Sequence, residues 1–136
     1  MKQAFIDANL ILRYLTKDPP QMAQAALKIF TAANRGELCL IVIPITVAEV
    51  VWVLESFYGH PKAQIASIMT QFLHSEGIEV NDLDLLTEAI HLYSEKNLDF
   101  ADALLAAMVL RKGPRSVCSF DHHLDRVPGI TRREPA

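Results

Sequence analysis

Residues Leu38-Cys-Leu-Ile-Val-Ile43 form an unbroken apolar run, rich in branched side chains and set off by Arg35-Gly36. A strand with one face in water alternates apolar and polar residues. A continuous run instead marks a strand covered on both faces, as in a parallel sheet packed between helices. Parallel neighbours need crossover helices, and the flanking sequence supplies them. Gln3–Ile6 reads as a short strand and Asn9–Lys17 as a helix with apolar residues three and four apart, stopped by Asp18-Pro-Pro20. Pro19/Pro20 open a second helix to about Asn34, which Arg35-Gly36 closes. Beyond the central run, helices are expected over Thr46–Tyr58 and Pro61–His74, ended by Gly59 and Gly77. Ile78–Val80 is a brief strand. Asn81 or Asp82 caps a helix through Lys96, and Asp99 caps another through Arg111, before Lys112-Gly-Pro114. Arg115–Phe120 and Gly129–Arg132 read as closing strands.

Strands separated by helix pairs imply an α/β fold. The expectation is a single domain over residues 1–136 with a mostly parallel central sheet of about four to five strands, helices on both faces, and right-handed crossovers in a Rossmann-like three-layer arrangement. A chain that is 51% hydrophobic and 21% charged is neither disordered nor a coiled coil. The longest apolar stretches, Leu38–Ile43 and Ala103–Leu110, are far shorter than the ~18 residues of a membrane span. Asp7, Asn9 and Arg13 break the first apolar run, so no signal peptide is read there. Cys39 and Cys118 sit in apolar runs and read as buried reduced thiols. The expected location is cytoplasmic, with no membrane association.

In an open α/β sheet the reactive cleft lies beyond the carboxyl ends of the strands. Asp7 follows Phe5-Ile6, and Asp121 follows Val117–Phe120, so both fall at that edge. Glu49 and Asp102 sit near the starts of helices that are apolar almost all round. Each acid also has a local explanation. Thr46-x-x-Glu49 fits a capping box, Asp99-x-x-Asp102 fits a capped helix start, Asp7 can cap the helix beginning near Asn9, and Asp121 can make a turn. Jointly, four acids from distant segments would converge on one sheet edge. Clustered carboxylates repel, and no lysine or arginine adjoins any of the four in sequence. His60, His74 and His91 lie on other segments, so the expected ligand set is all oxygen, suited to Mg²⁺ or Mn²⁺ rather than zinc.

The stretches Phe5-Ile-Asp-Ala-Asn9, Pro44-Ile-Thr-Val-Ala-Glu-Val50, Asp99-Phe-Ala-Asp-Ala-Leu-Leu-Ala-Ala107 and Cys118-Ser-Phe-Asp-His-His-Leu-Asp125 resemble the successive motifs of the PIN domain. Within that family the chain is similar to the VapC toxins of bacterial and archaeal toxin–antitoxin pairs. The likeness spans essentially the whole chain. It implies a PIN-like nuclease domain whose acidic quartet is Asp7, Glu49, Asp102 and Asp121, with Asp7, Asp102 and Asp121 as metal ligands and Mg²⁺ or Mn²⁺ as cofactor. Asn9 and Ser119 match supporting polar positions, serine standing where threonine is more usual; Asp99 is near enough to reach the metal's outer shell, although a helix cap accounts for it. The implied reaction is hydrolysis of RNA phosphodiester bonds by metal-activated water. The implied partners are RNA, a cognate antitoxin and a second copy of the chain in a homodimer.

The charge distribution bears on the substrate. Residues 1–110 carry 7 basic against 13 acidic side chains, whereas residues 111–136 carry 6 against 3. Arg13, Lys17, Arg111, Lys112, Arg115 and Arg126 flank the motifs and are the candidates for phosphate contacts, although an ordinary solvated charge accounts for each at least as well. Trp52, Tyr58, Tyr14 and Phe57 suit base stacking, core packing or a subunit contact. Two rival readings stand beside the nuclease. One is a haloacid-dehalogenase-like phosphotransferase with Asp7 as nucleophile, although that family wants Asp-x-Asp and position 9 is Asn9. The other is a non-catalytic PIN-like module that binds RNA or a protein partner.

Overall fold

The structure is a computed structural model describing residues 2–135. Strand β1 (Lys2–Phe5) leads into helices α1 (Ala8–Thr16) and α2 (Pro20–Asn34). Strand β2 (Leu38–Val42) is followed by α3 (Pro44–Ser56) and α4 (Lys62–Leu73), and β3 (Ile78–Val80) by α5 (Leu83–Glu95) and α6 (Phe100–Lys112). The chain ends with β4 (Ser116–Cys118), a 3-10 turn over His122–Arg126, and β5 (Thr131–Arg133).

The α/β class and the parallel sheet agree with the sequence. The sheet is small: β1, β2 and β3 form one three-stranded parallel ladder with β2 in the centre. β4 and β5 form a separate parallel pair, with Ser116 opposite Thr131 and Cys118 opposite Arg133. β2 is central as its apolar run requires, with Cys39, Leu40 and Val42 buried. β1 lies at the edge of the ladder with all four side chains exposed, including Phe5. Cys118 is also exposed, contrary to expectation, because β4 is paired only with β5 and buries only Val117.

Helix α3 begins at Pro44, two residues earlier than expected, because proline's fixed φ and missing N–H suit the first helical position. Its apolar sequence feeds Val47, Val50, Val51 and Leu54 into the core. The same core holds Ile11 and Leu12 of α1, Leu86, Ala89, Ile90 and Tyr93 of α5, and Ala103, Ala106 and Ala107 of α6. The alanines of α6 permit close approach to α5, the most extensive helix pairing in the fold, and α3 packs against both α1 and α6. Gly77 is required at the turn into β3. Its φ is +82°, and an added Cβ would lie 2.3 Å from the Ala33 carbonyl oxygen at the end of α2. Among the described residues, no helix is long and apolar enough to cross a membrane.

Candidate metal centre

The parallel ladder directs β1 and β2 the same way, so Asp7 and the start of α3 both follow the carboxyl ends of their strands. Asp7 is extended and exposed, and caps α1 by accepting a hydrogen bond from the Leu10 N–H at 3.0 Å. With Asn9, Arg13, Met22 and Ile29 it lines a groove of about 290 Å³. Glu49 is exposed on α3. The capping-box explanation of Glu49 does not hold, because Ile43 is the N-cap and Thr46 is buried inside the helix.

Asp102 enters through a capped helix start. Asp99 precedes α6 and its Oδ1 accepts from the Asp102 N–H at 2.8 Å, so the backbone beneath Asp102 is fixed by a local bond. Phe100 and Ala103 on either side are buried, anchoring this turn against the core. Asp102 itself is half-buried.

Asp121 is set by the loop that leaves β4. Its N–H donates to Ser119 Oγ at 2.9 Å, and its own Oδ1 accepts from the His123 N–H at 2.9 Å. Leu124 and Val127, both buried, pin the following turn. The consequence is a group in which ligand atoms of Asp102, Asp121 and His123 all lie within 4.8 Å of one another. The His123 Nδ1 and Asp121 Oδ1 are 3.2 Å apart.

The two carboxyls respond to this proximity in opposite senses. Burial, a hydrogen bond shared with Asp121, and the negative charges of Asp99 and Asp121 push Asp102 up to about 6. Asp121 is held below the usual carboxylate range by the His123 backbone N–H and by the bond to Asp102, with the charges of His123 and Arg126 adding to the effect. Of the two, Asp102 takes up a proton first as pH falls, and a nearby cation would offset the burial and repulsion that raise it. Two carboxylates and an imidazole form a donor set that fits a divalent cation.

Of the expected quartet, the structure gathers Asp102 and Asp121, while Asp7 and Glu49 stand outside this group among the described residues. A histidine, His123, lies beside the two carboxylates, where the sequence points to oxygen donors. His123 follows Asp121 by two residues, and a tight turn at that spacing folds its ring back beside the carboxylate. The basic candidates are dispersed. Arg13 reaches the Tyr58 hydroxyl at 3.4 Å, Arg111 lies 3.8 Å from Asp84, and Arg126 donates to the Asn97 carbonyl at 2.6 Å. Lys17, Lys112 and Arg115 are exposed. Of the aromatic candidates, Tyr14 stacks on Phe30 and Tyr58 donates to Asp18, whereas Trp52 and Phe57 are exposed.

The model of the family described as the PIN domain matches residues 4–130. The chain belongs to the PIN domain family. A search among curated proteins finds no match. A PIN domain is a nuclease-type fold, and the Asp102–Asp121–His123 group gives this one a possible metal-binding centre.

Proposed function

We propose that this PIN-domain protein is a Mg²⁺- or Mn²⁺-dependent endoribonuclease and the toxin of a type II toxin–antitoxin pair, acting in the cytoplasm, with residues 1–136 as one nuclease domain. The observation that carries the reading is the meeting of Asp102 and Asp121, two acids from separate segments; burial, and then the bond to Asp121, raise Asp102. A divalent cation held there supplies the positive charge that screens a phosphodiester and makes water a better nucleophile. In this reading Asp102 and Asp121 would hold the cation, joined by Asp7 from beyond the end of β1, which lies outside their close group. Glu49, exposed on α3, takes the proton from the attacking water. The water oxygen bonds to phosphorus, the bond to the 3′ oxygen breaks, and that oxygen leaves with a proton from solvent. Asn9 and Ser119 support the acids beside them. Ser119 accepts the Asp121 N–H, which fixes the loop on which Asp121 sits. Asp99 acts through its cap on Asp102. Arg13, Lys17, Arg111, Lys112, Arg115 and Arg126 are assigned to phosphate contacts, where they add salt-sensitive affinity.

The partners are RNA, a cognate antitoxin and a second copy of the chain. The exposed Ile45 and Trp52 on α3 support a self-association surface. A second reading, a binding module without catalysis, is favoured by Asp7 and Glu49 lying outside the group of three. An RNA cleavage assay with Mn²⁺, with and without EDTA, and beside Asp102→Asn, separates the two. The nuclease reading expects cleavage only by the metal-loaded parent protein. RNA bound but uncut in Mn²⁺ would favour the binding module.

A further inference from the structure

We infer that His123 contributes an imidazole nitrogen to the metal-binding group, making it a mixed nitrogen–oxygen centre that selects Mn²⁺ over Mg²⁺. This rests on the nuclease reading only in so far as Asp102 and Asp121 bind a cation. Three observations carry it.

The imidazole is positioned with the two carboxylates, its ligand atom within 4.8 Å of theirs. The 3.2 Å separation of His123 Nδ1 and Asp121 Oδ1 approximates the distance between adjacent corners of an octahedron, about 3 Å for metal–ligand bonds of ~2.1 Å. The ring's position is also built into the backbone, because the His123 N–H bond to Asp121 and the buried Leu124 fix the turn independently of the side chain.

The selectivity follows from ligand chemistry. Mg²⁺ prefers oxygen donors and sheds water reluctantly, whereas Mn²⁺ and the later divalent ions gain from an imidazole nitrogen. A centre of carboxylates alone would have little means of separating Mg²⁺ from Mn²⁺ beyond size. His123 provides that means. His122, next in sequence, does not compete for the role: its Nδ1 lies 2.8 Å from an Arg132 guanidinium nitrogen, and its ring lies near Asp125 and Glu134.

The test is calorimetric titration of Mn²⁺ and of Mg²⁺, each alone, into the full chain and into His123→Ala, His123→Asn and Asp102→Asn. Alongside it, the Mn²⁺-loaded proteins are examined by electron spin-echo spectroscopy for nitrogen coupling. His123 is exposed and its backbone bond survives substitution, so both histidine variants fold. The parent protein is expected to bind Mn²⁺ more tightly than Mg²⁺ and to show nitrogen coupling. His123→Ala should lose about ten-fold in Mn²⁺ affinity, with Mg²⁺ affinity nearly unchanged and the nitrogen signal gone. His123→Asn, restoring an oxygen donor, should bind Mg²⁺ as well as the parent does without regaining Mn²⁺ preference. If the imidazole serves only as a partner for Asp121, His123→Ala will alter both affinities equally or neither, with no nitrogen coupling in the parent, and the inference is overturned. Loss of both metals in Asp102→Asn alongside that result would leave the nuclease reading intact. A parent chain that binds neither ion would overturn both.

Discussion

Arg132 grips Asp125 with two parallel hydrogen bonds, Nε to Oδ1 at 3.0 Å and Nη2 to Oδ2 at 3.2 Å. Its remaining nitrogen donates to the Ser119 carbonyl at 3.0 Å, one residue beyond β4. Ser119 in turn accepts the Asp121 N–H through its hydroxyl. One guanidinium on β5 thus ties together both ends of the loop that carries Asp121. Lysine has a single charged nitrogen and cannot reproduce the planar fork. Arg132→Lys is therefore expected to lower the melting temperature nearly as much as Arg132→Ala, and to weaken Mn²⁺ binding through a looser Asp121. Thermal unfolding with and without Mn²⁺ checks both. A lysine variant with the parent's melting temperature would show that charge alone suffices.

Asp102 makes the stability of the metal-free protein depend on pH. Its folded pKa of about 6 lies above the unfolded carboxylate value, so between those values the folded state binds more protons than the unfolded one. The associated stability is fully present below about pH 4 and is lost as pH rises through about 6. Asp121, shifted downward, works in the opposite sense: its stabilisation is present above the ordinary carboxylate value and is lost only as the solution becomes more acid than that. Unfolding by urea at intervals from pH 4.5 to 7 should show the parent losing stability relative to Asp102→Asn as pH rises. At pH 7 and without metal, Asp102→Asn should be at least as stable as the parent because the repulsion with Asp121 is gone. A pH-independent difference would mean that the two carboxyls do not interact in solution.

Divalent cation should reverse that order. Binding confined to the folded state stabilises by about 2.7 kcal/mol at a free concentration one hundred times Kd. Mn²⁺ is expected to raise the melting temperature of the parent and leave Asp102→Asn almost unmoved. The same substitution should abolish RNA cleavage. A variant that cuts RNA at the parent's rate would remove Asp102 from the reaction.

The elements were legible where local chemistry dictates them. The Leu38–Ile43 run declares β2 as the covered strand, and the Asp99-x-x-Asp102 spacing declares the capped start of α6. What the sequence hid depends on contacts between segments. Division of the strands into a ladder of three and a pair leaves no mark on periodicity, since Val117 in β4 is as apolar as a central-strand residue. The placement of His123 beside Asp121 depends on a tight turn, and short 3-10 turns have no repeating pattern to read. Arg132 is one of six basic residues after position 110, and nothing in the sequence marks it from the others, yet its side chain is only 10% exposed and bound to Asp125 and Ser119. For Glu49 the sequence offered a cap that the structure removes, because Pro44 starts the helix before Thr46 can cap it.

Gly77 offers a test of the packing between α2 and β3. Alanine there must adopt a φ of +82°, and its methyl would meet the Ala33 carbonyl oxygen at 2.3 Å. The left-handed conformation alone costs about 1–3 kcal/mol for a residue with a side chain. Relief of the overlap must add to that cost by moving backbone rather than a flexible side chain. Gly77→Ala is expected to lose at least ~2 kcal/mol in urea unfolding. Loss of less than half that amount would mean the turn relaxes away from α2.

The exposed face of α3 bears on self-association. Ile45 is 70% and Trp52 68% exposed, and their seven-residue spacing places them two turns apart on one face, with Glu49 between them. A large aromatic and a branched aliphatic left in water on one helix face favour burial against a partner. In the homodimer reading, Trp52→Glu should convert a dimer to a monomer in sedimentation. The isolated fold should keep its stability at low protein concentration, because the ring contributes little to the monomer's core. Because Glu49, the proposed proton acceptor, shares that face, the monomeric variant also reports whether dimer contacts orient it. If they do, its cleavage rate falls while its Mn²⁺ affinity, proposed to be set at Asp102 and Asp121, stays at the parent's value. A dimer that survives Trp52→Glu would place the self-association surface elsewhere.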